Sequence, residues 1–235
     1  MFNLASISLF LALLMSPSFI VDDTGEMVNT PISVLVTIED ACRQVYSECG
    51  LEGKLDYNIF HRAMTGASMI TTPKKEILTI IDFSKPSYEK RFYVIDLKNH
   101  KLLFNTLVAH GKNSGEVSCT RFSNKKNSLQ SSPGFYLTAE SYSGKYGYSL
   151  RLDGLEPGIN DLARARAIVI HPAFYVCQQY VNDFGYIGRS FGCPALPTNV
   201  SKGVIDAIKG GSCLYIHTNN QSYLSNSILP DQRIN

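Results

Sequence analysis

Ile77–Phe83 (ILTIIDF), Phe92–Leu97 (FYVIDL) and Leu102–Ala109 (LLFNTLVA) follow one another closely, each a run of β-branched or aromatic residues. Runs of that composition and length read as strands, and Lys98-Asn99-His100-Lys101 between the last two has hairpin-turn chemistry. Phe135–Ala139, Tyr148–Leu152, Ala167–His171 and Cys213–His217 extend the series. Short strands without alternating helices predict a mainly β (α+β) chain built on an antiparallel sheet or β-sandwich. Val200–Ile208 is one short helical interruption. Ser114 to Ser132, rich in Ser, Asn and Lys, reads as a long loop and a candidate lid.

Upstream the periodicity changes. Two helices are expected, over 38–49 and 57–69; in the second, Tyr57, Phe60, Met64 and Ala67 recur at helical spacing and mark a core-facing stripe. Residues 19 to 30 are polar and contain Asp22-Asp23-Thr24-Gly25, an exposed lead-in. Leu4 to Met15 is an apolar run of signal-peptide length, too short for a stable membrane span. Ser16 and Ser18 supply the small residues of a cleavage site, with a cut expected after Ser18, although no Lys or Arg precedes the apolar run. The chain is therefore expected to be exported, to a periplasm or cell envelope.

A net charge of +2 produces no strong field, so nothing in the composition calls for nucleic acid. Hydrophobic residues at 44% against charged residues at 18% suffice for a packed core without metals or crosslinks. Six cysteines, at 42, 49, 119, 177, 193 and 213, leave the disulfide connectivity open. Cys42 and Cys49 on one helix would stand roughly 10 Å apart, too far for a bridge.

The chemistry concentrates in Gly188-Arg189-Ser190-Phe191-Gly192-Cys193-Pro194-Ala195-Leu196-Pro197. Its small residues let the backbone turn tightly and aim N–H groups at a developing oxyanion. A free thiol with a pKa of about 8.5 is mostly protonated at neutral pH, so a nucleophilic Cys193 needs a base. His171 ends the apolar run Ala167-Ile168-Val169-Ile170 and is placed to project from a strand end as that base. A third group must orient the imidazole, and Pro172, lacking an N–H, still offers a carbonyl. Read singly, Cys193 would be a buried inert thiol and His171 a structural histidine; the glycine-rich setting favours exposure. A papain-like protease is disfavoured because there the Cys precedes the His in the chain. Neither His61, His100 nor His217 forms a zinc pattern with the cysteines.

His171 followed by Ser190-x-Gly192-Cys193 resembles the signature of the L,D-transpeptidase (YkuD-like) catalytic domain, and specifically its murein L,D-transpeptidase branch. Ile80–Ser87, Val108–Gly111, Arg121–Asn124, Ser131–Tyr136, Leu152–Asn160 and Ala163–His171 are similar to that branch too, so the likeness runs over roughly residues 55 to 217. The resemblance implies a YkuD-like β-sandwich catalytic domain, expected over 71–220; the residues read above put a signal peptide over 1–18 and a lead-in with short helices over 19–70 before it, and a tail over 221–235 after it. It implies no metal and no organic cofactor, peptidoglycan stem peptides as partners, and Cys193 and His171 as the catalytic pair. The thiol would expel the terminal D-Ala of a tetrapeptide stem, and a neighbouring stem amine would resolve the thioester as a 3→3 cross-link. Water as acceptor would give an L,D-carboxypeptidase, and a lipoprotein lysine is a third acceptor; a non-catalytic peptidoglycan-binding protein is the remaining alternative. Gly192, Ser190, Arg189 and His110 are candidates for substrate or oxyanion contacts, with structural roles weighed beside each. Phe191 stands where the commoner family pattern, Ser-His-Gly-Cys, has its His, which leaves His171 as the matching base.

Overall fold

The computed structural model describes residues 20–21, 27–28, 38–70 and 75–227; the apolar run Leu4–Met15 and the expected cleavage site lie outside them. The chain divides into two units, Met1–Gln44 and Val45–Asn235. In the first, β1 (Ile20–Val21) pairs antiparallel with β2 (Met27–Val28). Helix α1 (Ile38–Glu48) begins in this unit.

The second unit is dominated by an eight-stranded sheet. Its strands are β3 (Ile77–Asp82), β4 (Phe92–Asp96), β5 (Lys101–Thr106), β6 (Gly134–Gly144), β7 (Gly147–Gly154), β8 (Val169–Pro172), β9 (Ala195–Leu196) and β10 (Cys213–His217). Four helices accompany it: α2 (Tyr57–Met69), α3 (Gln178–Phe184), α4 (Thr198–Ile208) and α5 (Gln221–Asn226). The spatial order is β5-β4-β3-β10-β6-β7-β8-β9. The sheet is mixed, where strand spacing alone predicts antiparallel pairing. β10 returns through α4 and inserts between β3 and β6, parallel to the first and antiparallel to the second. β8 and β9 form the other parallel pair.

Local chemistry accounts for the elements. Asp96 folds the β4–β5 hairpin by accepting from Lys98 N at 3.1 Å and Asn99 N at 3.0 Å, an Asx-type turn. β3 and β10 are central and buried on both faces, which is why their sequences are mostly apolar without a polar alternation, Thr79, Asp82 and His217 being buried with the rest. Asp56 caps α2, its carboxylate accepting from Asn58 N at 2.8 Å and Ile59 N at 3.3 Å.

The sheet carries a layer on each face. Phe135 and Tyr215 are opposite each other in the β6–β10 register, and their rings stack with centroids 4.4 Å apart. They face α2, whose Gly66 lies so close that an added Cβ would fall 2.0 Å from the Phe135 ring. Their chain neighbours Tyr136, Leu214 and Ile216 point the other way, into a cluster with Val204, Ile205 and Ile208 of α4. Cys193 packs against that second cluster.

Candidate active site

The segment before Cys193 is fixed by backbone first. Ser190 N donates to His110 O at 2.9 Å and Lys112 N to Ser190 O at 2.8 Å, so Ser190 bridges Gly111 like a strand residue. The Ser190 hydroxyl then closes the turn, donating to Cys193 O at 2.6 Å while accepting from Gly192 N at 3.1 Å. Gly192 sits at φ +122°, and a Cβ there would come within 2.7 Å of Gln130 O, so both conformation and space require glycine. Ser131 ties the turn to its neighbour, its Oγ donating to Gly192 O at 3.2 Å and accepting from Gly111 N at 3.0 Å.

His171 arrives on β8, directly opposite Ala195 of β9, two residues beyond Cys193. That parallel pairing brings the imidazole strand and the thiol segment side by side. The ring is buried, and its Nδ1–H donates to Pro172 O at 2.9 Å. With the proton on Nδ1, Nε2 carries the lone pair a base needs. Tyr146, from the β6–β7 turn, stacks on the imidazole with centroids 4.8 Å apart and planes 27° from parallel. Burial pulls the His171 pKa below its ordinary value, and the Pro172 carbonyl partly offsets that pull. The ring is therefore neutral at pH 7.

Cys193 is half-buried, and its thiol donates to Ala167 O at 3.6 Å. Burial pushes the thiol pKa up; the Val169 N–H and the Arg166 guanidinium pull it back. Among the described residues no hydrogen bond joins Sγ to His171. At rest the thiol and the imidazole are both neutral, each bonded to a backbone carbonyl of its own. Gly192 N is already committed to Ser190, while the Cys193 N–H donates to no backbone carbonyl among the described residues.

His110 and Arg189 meet at a different place, the carbonyl of Gly115. His110 is fully buried; its Nδ1 accepts from Arg91 Nη2 at 2.8 Å, so its Nε2–H faces Gly115 O at 3.3 Å. Burial, followed by the Arg91 charge, holds its pKa down at about 3. Arg189 Nη1 donates to the same carbonyl at 3.2 Å and lies 3.9 Å from the Glu116 carboxylate. Both residues brace the loop beside the turn. Phe191 is 60% exposed, with Lys112 Nζ 4.9 Å above its ring. Phe174, three residues past His171, is 79% exposed and packs edge-on against Tyr175.

Ser114 to Ser132 contains no helix or strand, but it is tied down throughout rather than hinged like a lid. The residues doing so, Ser131 and Arg166, are not singled out by any local pattern in the sequence. Arg166 is the second arginine of Ala163–Ala167, and the alternation there separates it from the surface Arg164, which pairs with Glu140 and Asp153. The six cysteines are all unpaired. Among the described residues no group of three or more His, Cys, Asp or Glu is placed to hold a metal ion, and no helix is long and apolar enough to cross a membrane. A separate cleft of about 580 Å³, lined by Asp56, Arg62, Asp82, Lys85 and His217 among others, contains neither Cys193 nor His171.

A family profile described as the L,D-transpeptidase catalytic domain matches residues 51–217, more than two thirds of the chain. No curated protein matches it. Among solved structures, an L,D-transpeptidase from Mycobacterium smegmatis is similar at 14% identity over 61% of this chain and 59% of its own, with a TM-score of 0.37. An L,D-transpeptidase from Stackebrandtia nassauensis is 15% identical over 85% of this chain and 86% of its own, with a TM-score of 0.37. The helical cell shape determining protein Pgp2 from Campylobacter jejuni is 14% identical over 68% of this chain and 56% of its own, with a TM-score of 0.38. The chain thus spans about six-tenths of the length of the first of these, at 59%. These likenesses are loose, and the profile match alone carries the family assignment.

Proposed function

The chain belongs to the L,D-transpeptidase catalytic domain family, and from that membership we propose that it is an exported, cysteine-dependent enzyme of the cell envelope acting on peptidoglycan tetrapeptide stems. The observation that supports this reading most is the parallel β8–β9 pair, in which His171, its Nδ1–H on Pro172 O, is in register with Ala195, two residues beyond the Cys193 turn.

The chemistry follows from those positions. Cys193 Sγ leaves the Ala167 carbonyl, gives its proton to His171 Nε2, and attacks the carbonyl carbon at the L-centre of the stem's diaminopimelate. The new C–S bond forms as the carbonyl oxygen becomes an oxyanion, which the free Cys193 N–H opposes. The tetrahedral centre collapses with cleavage of the C–N bond; His171 returns the proton to the departing amine, and D-Ala leaves. An acceptor amine from a neighbouring stem then attacks the thioester, again losing its proton to His171, and the thiol is released as a 3→3 cross-link forms. Resting hydrogen bonds of such pairs are often loose and tighten only when substrate excludes water. A raised thiol pKa fits that sequence, because the proton is transferred on demand to a neutral imidazole rather than stored as a standing ion pair.

The test is product analysis by mass spectrometry after incubation with purified disaccharide-tetrapeptide. Loss of D-Ala with a cross-linked dimer is the expected outcome. A tripeptide alone would assign water as the acceptor. No loss of D-Ala would sink the reading and leave a binding protein on this fold.

A further inference from the structure

Arg166 precedes Ala167, whose carbonyl accepts from the Cys193 thiol; its own guanidinium reaches the Ser123–Ser132 segment, and every one of its partners is neutral. Its Nη1 donates to Ser123 O at 2.6 Å and Ser132 Oγ at 2.5 Å; its Nη2 donates to Gln130 O at 2.6 Å and Ser128 Oγ at 3.1 Å. No carboxylate pairs with it among the described residues. Arg164, two positions earlier, is neutralised at the surface by Glu140 and Asp153. One arginine of the pair is ion-paired outward, and the other brings an uncompensated charge inward.

The segment it grips lies beneath the turn. Gln130 O is the atom that a Gly192 Cβ would strike at 2.7 Å, and Leu129 O would be struck by a Gly111 Cβ at 2.5 Å. The backbone is wound to make those approaches: Leu129 has φ 58°, and Ala167, the residue after Arg166, has φ 55°. Left-handed φ costs a non-glycine residue roughly 1–2 kcal/mol, so such conformations persist only where the surroundings hold them. At Ala167 the twist turns the carbonyl to the Cys193 thiol while the preceding side chain reaches the segment. The same four hydrogen bonds therefore fix the floor of the turn and the chain that accepts the thiol proton.

We propose that Arg166 is a positioning residue for Cys193, fastening the Ser123–Ser132 segment under the Gly192-Cys193 turn and holding an unpaired positive charge within electrostatic reach of the sulfur. The proposal rests on the reading of Cys193 as the nucleophile. The mutual influence of the two groups, each shifting the other's protonation toward its charged form, agrees with that placement.

The experiment measures iodoacetamide alkylation at Cys193 against pH, resolved from the other cysteines by peptide mass, in the full chain and its variants. Arg166→Gln should raise the alkylation midpoint by roughly one pH unit, the lower end of what a nearby opposite charge contributes. It should also speed trypsin cleavage after Lys125 or Lys126, which lie in the gripped segment. Arg166→Lys should keep the midpoint near wild type but still speed that cleavage, because a single ammonium cannot serve the same four oxygens. Arg164→Gln should change neither readout. The proposal is overturned if Arg166→Gln leaves the midpoint where it was, or shifts it no more than Arg164→Gln does. Should Arg166→Gln fail to fold, Arg166→Lys decides alone: a wild-type cleavage rate or a displaced midpoint overturns it. Because alkylation needs no peptidoglycan, absence of D-Ala release would remove the proposed function without touching this result.

Discussion

His171 and Cys193 rest in their uncharged forms for different reasons. The imidazole is buried with its Nδ1–H spent on Pro172, and the thiol is buried against Ala167. Protonating His171 means charging a buried ring, so its folded pKa lies below the ordinary 6.5. The neutral ring that the proposed mechanism uses as base is therefore present at and above pH 6.5 and is lost only as pH falls through that depressed value. The acid limb of kcat/KM for D-Ala release should fall below pH 6.5, measured as a pH profile on one muropeptide. A limb at or above 6.5 would mean that the ring is more solvated, or more favourably paired, than its place on β8 allows. Both residues are legible in the sequence, as a strand-end histidine and a glycine-rich thiol turn in a characteristic order along the chain. Tyr146, Ser131 and Arg166 are not, because their contacts join segments far apart in sequence and leave no local pattern.

The elements show the same division. α2 is legible from its periodicity, but its buried face is Ile59, Phe60, Ala63 and Gly66; of the expected stripe only Phe60 lies in it, while Tyr57, Met64 and Ala67 are half-buried at its side. The glycine in it reads as a helix breaker, yet in the fold it is the point of closest approach to Phe135. Gly66→Ala should therefore destabilise the protein by about 1–3 kcal/mol, the usual range for overpacking, even though alanine is the better helix former. A lower urea midpoint at unchanged m-value would register it; a higher midpoint would show that α2 stands farther from the sheet. α3 escapes prediction because none of its residues is buried, so it has no stripe to read. β9 escapes because two residues between prolines carry no period, and its parallel pairing with β8 is set by the whole sheet.

At the scale of the molecule, the mixed sheet cannot be inferred from strand spacing, since insertion of β10 between β3 and β6 depends on the return path through α4. Two buried polar side chains, Arg91 and Glu156, tie the framework together. Arg91 donates to Val108 O, Lys85 O and His110. Glu156 accepts from Phe135 N at 2.8 Å and Ser227 Oγ at 2.7 Å, binding the end of the described chain to β6. Neither touches Cys193, so the framework does not depend on the thiol. Cys193 itself is only half-buried, and removing its sulfur deletes a weak donor at the edge of the α4-side cluster. Chemistry and stability should thus separate. The decisive measurement is D-Ala release from disaccharide-tetrapeptide by Cys193→Ala, with its thermal unfolding recorded alongside. The account predicts wild-type unfolding within a few degrees and no release above the uncatalysed background. Release at the wild-type rate from the folded variant would contradict it.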